Sequence, residues 1–592
     1  MIEKLLKPKL DKYRLFAISG LFLISLNFLG IILAMLGSFH SQIFFAYILF
    51  GGFFLLFLFL RNNAQFSFDK SFLLVSIFSV LAVFVFSYFT APTIFSGRDQ
   101  GSLSEAAIRL SQNNGLTFSS PAGKEFFKIY GPGPALNFPG FNYNSQGDLT
   151  TQFPLGYISW LAIFYSIFGL LGLQIANGIS ALFFLVSFYL VAKEYLHRSS
   201  AVLAWLLILT SFTFSWFFKF TLSENLAMML LWFGIFLFIL FRKKNERFFL
   251  LSALSAFILL SFVRIEAFAF LAIILVILFV EHRSWKRIFF GMIGKNFLIL
   301  PAALISIYIL HLFSGGDPFL QVLKNILRPA IALATSLKGH AVPEATSFFA
   351  TPLYVFKVLF AYSLVNFVLF GLIGIIRLFK RKKYEMLIPF FIILPSFLYL
   401  IYPSISADHP WMLRRFAFSI IPLCIIYAVW FIEGFFRNKI YFHIVAALFL
   451  LSSLSISIPY LPVVPDKNLL PQIKEVSRNF ESSDLVLVDR NATGDHWSMM
   501  SGPLNFLFGL QAAYFFNPED LDRIDSEKFD RIYLIVPDSQ LALYEEWGLL
   551  ARMEPIEEYV IRNESLEIIA GKKKELYANP IRLPRNMDIV TH

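Results

Sequence analysis

One cysteine, Cys424, occurs in 592 residues. It excludes an internal disulfide and, alone in an apolar run, says little about redox compartment. Charge is scarce as well, at 15% of residues, while 57% are hydrophobic and 74 are Phe. No soluble globular chain of this length needs that much apolar surface. The start "MIEKLLKPKLDKYR" is basic, but the apolar run after it is too long for a signal-peptide core and lacks a small-residue cleavage site. It is therefore expected to remain as an anchor. There is no internal repeat, no long low-complexity linker, and no His/Asp cluster with metal-ligand spacing. The residues call for no certain cofactor, and a divalent metal stays open.

What the chain does have is fourteen apolar runs, near 15–37, 43–60, 72–91, 155–172, 173–192, 201–218, 225–241, 248–263, 267–280, 297–313, 353–376, 386–403, 416–432 and 441–460. Runs of this kind predict transmembrane helices. The net charge of +11 is uneven. Residues 461–592 hold about 14 Lys and Arg against 22 Asp and Glu, so the excess positive charge belongs to the remainder. It lies beside the apolar runs, which gives a nucleic-acid partner little support.

Sidedness follows from the basic links "KEYLHR", "RKKNER", "EHRSWKR", "RLFKRKK" and "FFRNK". All five fall on the cytoplasmic side, with the N-terminus, only if 155–172 lies along the outer interface instead of crossing. The expected fold is thus a polytopic α-helical membrane protein of about 13 transmembrane helices. Its membrane domain covers 1–460, with an outer loop at 92–153, an interfacial helix at 154–172 and a second outer loop at 314–352. Residues 461–592 read as a small extracytoplasmic α/β domain: "DLVLVD" and "RIYLIVP" as buried strands, "LALYEEWGLL" as an amphipathic helix, "YVIRNESLEIIAG" as a terminal strand pair.

With that sidedness, the short polar links without basic clusters all face outward. They carry Arg98 and Asp99, Glu224, Arg264 and Glu266, Asp317, and Asp408, His409, Arg414 and Arg415. Charges so close to hydrocarbon are costly unless they pair or face a wet cavity. Each also has a plainer reading. Asp99 and Glu224 fit helix N-caps, Arg264 and Glu266 an interfacial ion pair, and Arg414 and Arg415 snorkelling anchors. His409 reads as an ordinary loop residue, and Glu105 with Arg109 as an i,i+4 pair. The sequons at Asn491 and Asn563 carry no assigned function, and the Phe abundance reads as lipid-facing filler.

The order of these segments resembles the GT-C superfamily of membrane glycosyltransferases, in its protein O-mannosyltransferase and lipid A aminoarabinose transferase branch. An acid stands just outside an early span. After a long outer loop comes "TTQFPLGYISWLAIFYSIFGLLG", where Gln152-Phe153-Pro154-Leu155 is similar to the family's Tyr-Pro-Pro-Leu with one proline lost. "TLSENLAMML", "LSFVRIEAFAFL" and "HPWMLRRFAFSIIP" resemble its later acidic, basic and Arg-Arg segments. The resemblance covers roughly 75–435. It implies sugar transfer from a polyprenyl-phosphate donor to an acceptor glycan, lipid or protein, at the outer face of the plasma membrane bilayer, with Asp99 as the catalytic carboxylate. Gln100-Gly101 follows Asp99 here, so no second carboxylate is adjacent.

The chemistry agrees. Displacement at a sugar-phosphate anomeric carbon needs a base for the incoming hydroxyl and cations for the departing phosphate. Asp99, seconded by Glu224, supplies the first. Arg98, Arg264, Arg414 and Arg415, with Glu266 and His409 beside them, supply donor-phosphate binding. A lipid-linked glycan flippase and a polysaccharide polymerase or ligase remain alternatives. The first would be favoured by two similar halves and mid-span charges.

Overall fold

The computed structural model describes residues 12–62, 69–294, 297–299, 302, 306, 351–401, 405–436, 438–552, 554–565 and 581–591. The second outer loop expected at 314–352, except its last two residues, and most of the run at 297–313 lie outside these residues.

Seven described helices are long and apolar enough to cross a membrane, or ten if each of three sharply bent pairs is one span. Two further expected spans appear as the short helices Arg198–Thr210 and Arg247–Ser261. Packing sorts these helices by position. Ser223–Lys244 is enclosed along its whole apolar window, whereas Ser41–Arg61 is 11% buried. Phe50, Phe53 and Phe57 on that outer helix are exposed, as suits side chains against lipid. Phe is not only lipid-facing, however. Phe184, Phe188 and Phe212 are fully buried, and Phe184 and Phe188 pack edge-on against Trp232 of the central helix. Flat rings fill the seams between helices as well as coating the outside.

Charges separate to the two ends of the bundle. At one end Arg14 pairs with Glu246, Lys193 and Arg198 with Asp69, Lys243 with Glu194, and Arg242 with Glu281. These residues belong to the N-terminal segment and to the links after the second, fifth, seventh and ninth apolar runs. At the other end lie Arg98, Asp99, Glu224, Arg264 and the 405–419 segment. Leu155–Phe168 starts at that second end, where Gly156 donates to the Phe262 carbonyl at 2.8 Å. Its 14 residues reach about 21 Å, short of the ~30 Å hydrocarbon core. Trp160 and Tyr157 tie it to Ala176, Asn177 and Ser180 of the next helix.

The loop between the third span and this helix is built, not slack. It holds the helix Asp99–Asn113, the helix Pro121–Tyr130 and four short antiparallel strands: β1 (Thr117–Phe118), β2 (Gly133–Pro134), β3 (Phe141–Tyr143) and β4 (Leu149–Thr151), in the order β1-β4-β3-β2. Beyond residue 461 stands a five-stranded mixed sheet of order β6-β5-β7-β9-β8. Its strands are β5 (Leu485–Asp489), β6 (Gln511–Phe515), β7 (Ile532–Pro537), β8 (Glu554–Ser565) and β9 (Ile581–Thr591). Strands β5 and β7 are the two apolar runs expected from sequence, and they sit side by side in parallel. The "LALYEEWGLL" helix is shorter than its pattern suggests, covering Leu541–Glu546.

The sheet region packs on the outer loop. Asn137 and Tyr514 exchange backbone and side-chain hydrogen bonds, Tyr130 donates to Asp520 at 2.6 Å, and Lys528 reaches Glu125 at 2.5 Å. Arg109, stacked on Phe118, bonds Asn505.

Candidate active site

Three acids of the outer cluster occupy the first turns of three helices: Asp99 in Asp99–Asn113, Glu224 in Ser223–Lys244 and Glu266 in Glu266–His282. None is an N-cap. The caps are Arg98, Leu222 and Ile265, and none makes a side-chain capping bond. The carboxylates still gain from the positive helix ends, but their partners are arginines brought from far along the chain.

Asp99 pairs with Arg414, whose guanidinium also lies 4.3 Å over the Trp411 ring. The Asp99 side chain is 39% accessible. Burial by surrounding protein pushes its carboxyl up, but Arg414, with Arg415 and Arg98 farther off, more than offsets this and leaves it below the usual carboxylate range. Arg98 pairs instead with Asp408 and is held between Trp411 and Trp497, with ring centroids at 4.5 and 4.2 Å.

A second group lies deeper. Arg264 bridges Glu224 at 2.7 Å and Glu266 at 2.8 Å, and Tyr399 donates to Glu266 at 2.6 Å. Glu224 is fully buried. Two carboxylates on one guanidinium make a satisfied network, which is what permits charge at this depth.

Arg415 stands between the two groups, 5.4 Å over the Tyr399 ring and close enough to act on both Asp99 and Glu266. Among the described residues it has no carboxylate partner, and its buried Nε has no acceptor. Arg414 and Arg415 are consecutive in the short helix Arg414–Ala417, after which the chain bends 59° into Ile420–Phe435.

The structure thus brings together Arg98, Asp99, Glu224, Arg264, Glu266, Arg414 and Arg415. His409 is near but differently engaged. It is 1% exposed, and its Nδ1 lies 3.0 Å from the Tyr362 hydroxyl. Burial pushes its ring down to about 4 against the opposing charge of Asp408. Four neighbours escaped the sequence reading as site residues: Asp408, Tyr399, Trp411 and Trp497. Asp408 and Trp411 stand in the same "ADHPWMLRR" link as the arginines, a signal that was present. Trp497, some eighty residues on, had none. Among the described residues, no group of three or more His, Cys, Asp or Glu could hold a metal ion.

No family model and no curated protein matches the sequence. Solved structures do. An archaeal oligosaccharyltransferase, AglB from Archaeoglobus fulgidus, in complex with an inhibitory peptide and a dolichol-phosphate, is 12% identical with a TM-score of 0.50, over 87% of this chain and 76% of that one. The chain has a GT-C fold. ArnT from Cupriavidus metallidurans is also similar. Its apo form is 12% identical with a TM-score of 0.47, over 88% of this chain and 98% of that one. Its complex with undecaprenyl phosphate gives 11% and 0.46, over 87% and 97%. In this fold the Asp99–Arg414 pair lies at the end of the bundle away from the basic links.

Proposed function

We propose that this protein is an integral-membrane glycosyltransferase that moves a sugar from a polyprenyl-phosphate donor to an acceptor at the extracytoplasmic face of the plasma membrane. The observation that carries the reading is Arg415, a guanidinium that pairs with no carboxylate among the described residues and lies between the Asp99–Arg414 pair and the Arg264 network. A part-buried cation whose Nε is buried without an acceptor asks for an anion from outside the chain. A lipid phosphate of the class seen on the archaeal oligosaccharyltransferase would meet it.

In the reaction, Asp99 takes the proton of the acceptor hydroxyl. The hydroxyl oxygen forms a bond to the anomeric carbon as the bond from that carbon to the phosphate oxygen breaks. The electron pair leaves with the phosphate, whose charge Arg415 and Arg414 stabilise, with Arg264 behind them. Displacement by one base without a covalent intermediate inverts the anomeric centre. Glu224 and Glu266 hold Arg264 in place, so that its charge is fixed before substrate arrives. Phosphate binding also draws Arg414 from Asp99, raising the basicity of the carboxylate when the acceptor needs it.

The test is sugar transfer by the purified chain from a panel of polyprenyl-phosphate sugars, wild type against Asp99→Asn. The expected result is a folded, carrier-binding variant slowed by roughly 10²–10⁴. A variant active within a few fold removes Asp99 as the base. Movement of the lipid-linked sugar across the bilayer without transfer would make the protein a flippase.

A further inference from the structure

Beside Asp99, on the other side of Arg98, lies a cavity of about 50 Å³, room for on the order of three to five waters. Trp216, Trp411 and Trp497 line it, with Gln100, Asp466 and Asp495 among its polar groups. Its walls come from four stretches of chain, 98–100, 216–220, 409–411 and 465–498. Three of its lining side chains carry buried polar atoms with no partner: Oε1 of Gln100, Oδ1 of Asp466 and Nε1 of Trp497. Gln100 is 8% exposed and Asp466 7%.

Buried polar groups are nearly always satisfied, so unpaired ones collected on a single cavity point to a ligand. The set has a definite character. It offers two acceptors and one donor, fixed among indole rings, with no free cation, since Arg98 is already paired with Asp408. A phosphate would be repelled by Asp495 and would find no acceptor-free donor set in this lining. An alkyl chain would leave all three polar atoms unpaired. A ring that is apolar on its faces and carries hydroxyls on its rim satisfies both the indoles and the acceptors.

We propose that this cavity is a sugar subsite, in which a monosaccharide ring packs against the tryptophans and its hydroxyls bond Gln100, Asp466 and Trp497. The inference rests on the glycosyltransferase reading for which ring it is, since both the donor sugar and a sugar of the acceptor have this chemistry. It gives residues 465–498 a part in choosing substrate. Burial, with Asp495 nearby, pushes the Asp466 carboxyl up to about 7, so near neutrality it can donate as well as accept.

The experiment uses the full chain in detergent and measures affinity by thermal shift for three probes: undecaprenyl phosphate, undecaprenyl phosphate bearing one of several hexoses or pentoses, and the matching methyl glycosides added with undecaprenyl phosphate. Variants are Asp466→Ala and Trp497→Phe, the second keeping an aromatic face on Arg98 while deleting the N–H. If the donor sugar occupies the cavity, one sugar-bearing lipid binds tighter than the bare lipid, and both variants lose that increment by roughly tenfold or more. Binding of the bare lipid stays within about twofold. If an acceptor sugar occupies it, the variants lose glycoside binding and leave the sugar-bearing lipid unaffected. The proposal is overturned if no sugar-bearing probe outbinds its sugar-free counterpart, or if both variants bind every probe as wild type does. Failure of all lipid probes with glycoside binding intact would instead overturn the carrier reading and leave the subsite standing.

Discussion

Replacing Arg415 with Met separates a ligand-binding arginine from a structural one by giving two effects of opposite sign. In the unliganded protein Arg415 has no carboxylate partner among the described residues, and its Nε is buried without an acceptor. Leaving such a donor unsatisfied costs about 1–3 kcal/mol. Met fills most of the same volume and carries no charge, so Arg415→Met should keep or raise the melting temperature. Binding should move the other way. A hydrogen bond to a charged group contributes about 1.5–3 kcal/mol, so losing one from a carrier phosphate weakens affinity by roughly 10- to 150-fold. Thermal denaturation without lipid and titration with undecaprenyl phosphate read the two effects on the same preparation. Arg415→Lys should fall between, since it keeps the charge but loses the planar fork. A melting temperature lowered by several degrees with lipid affinity intact would refute the reasoning and make Arg415 a structural residue.

Three further outcomes are expected. Because Arg414 holds the Asp99 carboxyl below its ordinary value of about 4, the carboxylate stays ionised above that point and is lost only as pH falls through the lowered value. The acid limb of kcat/KM, which reports the free enzyme, therefore lies below about pH 4, and that of kcat lies higher once phosphate has drawn Arg414 away. A pH–rate series with an acid limb of kcat/KM near 6 would contradict this. Lys219, 4% exposed, donates to the carbonyls of Tyr460, Leu461 and Val463 at 2.9, 2.7 and 2.6 Å, closing the end of the last span. Lys219→Met strands those carbonyls and should cost about 2–4 kcal/mol, read as a lower melting temperature, with no change meaning that they find other donors. Single cysteines placed at exposed positions of the sheet region in a Cys424→Ser background should react with an impermeant thiol reagent in intact cells. Protection would reverse the proposed sidedness.

Much of this was legible in sequence because it is local. Hydrophobic runs announce helices wherever they fall, and the Val and Ile of β5 and β7 announce strands. Arg264 and Glu266, two residues apart, announce their own ion pair. What was not legible depends on distance. Asp99 looks like a helix cap until Arg414, 315 positions later, takes its carboxylate. Glu224 likewise has the position of a capping acid but spends its charge on Arg264. The four strands of the outer loop are two or three residues each, too short for a period of two to declare itself. Their pairing is fixed by the turns and by the sheet region packed on them.

Ser96 pairs with Met499 in a single antiparallel bridge, and at Gly97, with φ of +126°, a Cβ would meet the Trp497 carbonyl oxygen at 2.7 Å. Residue 97 must be glycine-like for the two strands of chain to lie so close. The contact also imposes an order of events. Asp99 leaves the ribosome about four hundred residues before the segment that buttresses it, a lag of roughly 20–80 s at ordinary rates of synthesis. During that interval the early loop stands outside the bilayer with its helix and acid but without its backing. The cluster gains that backing only when residues 497–499 have been made and docked, so a truncated product can enter the membrane without it.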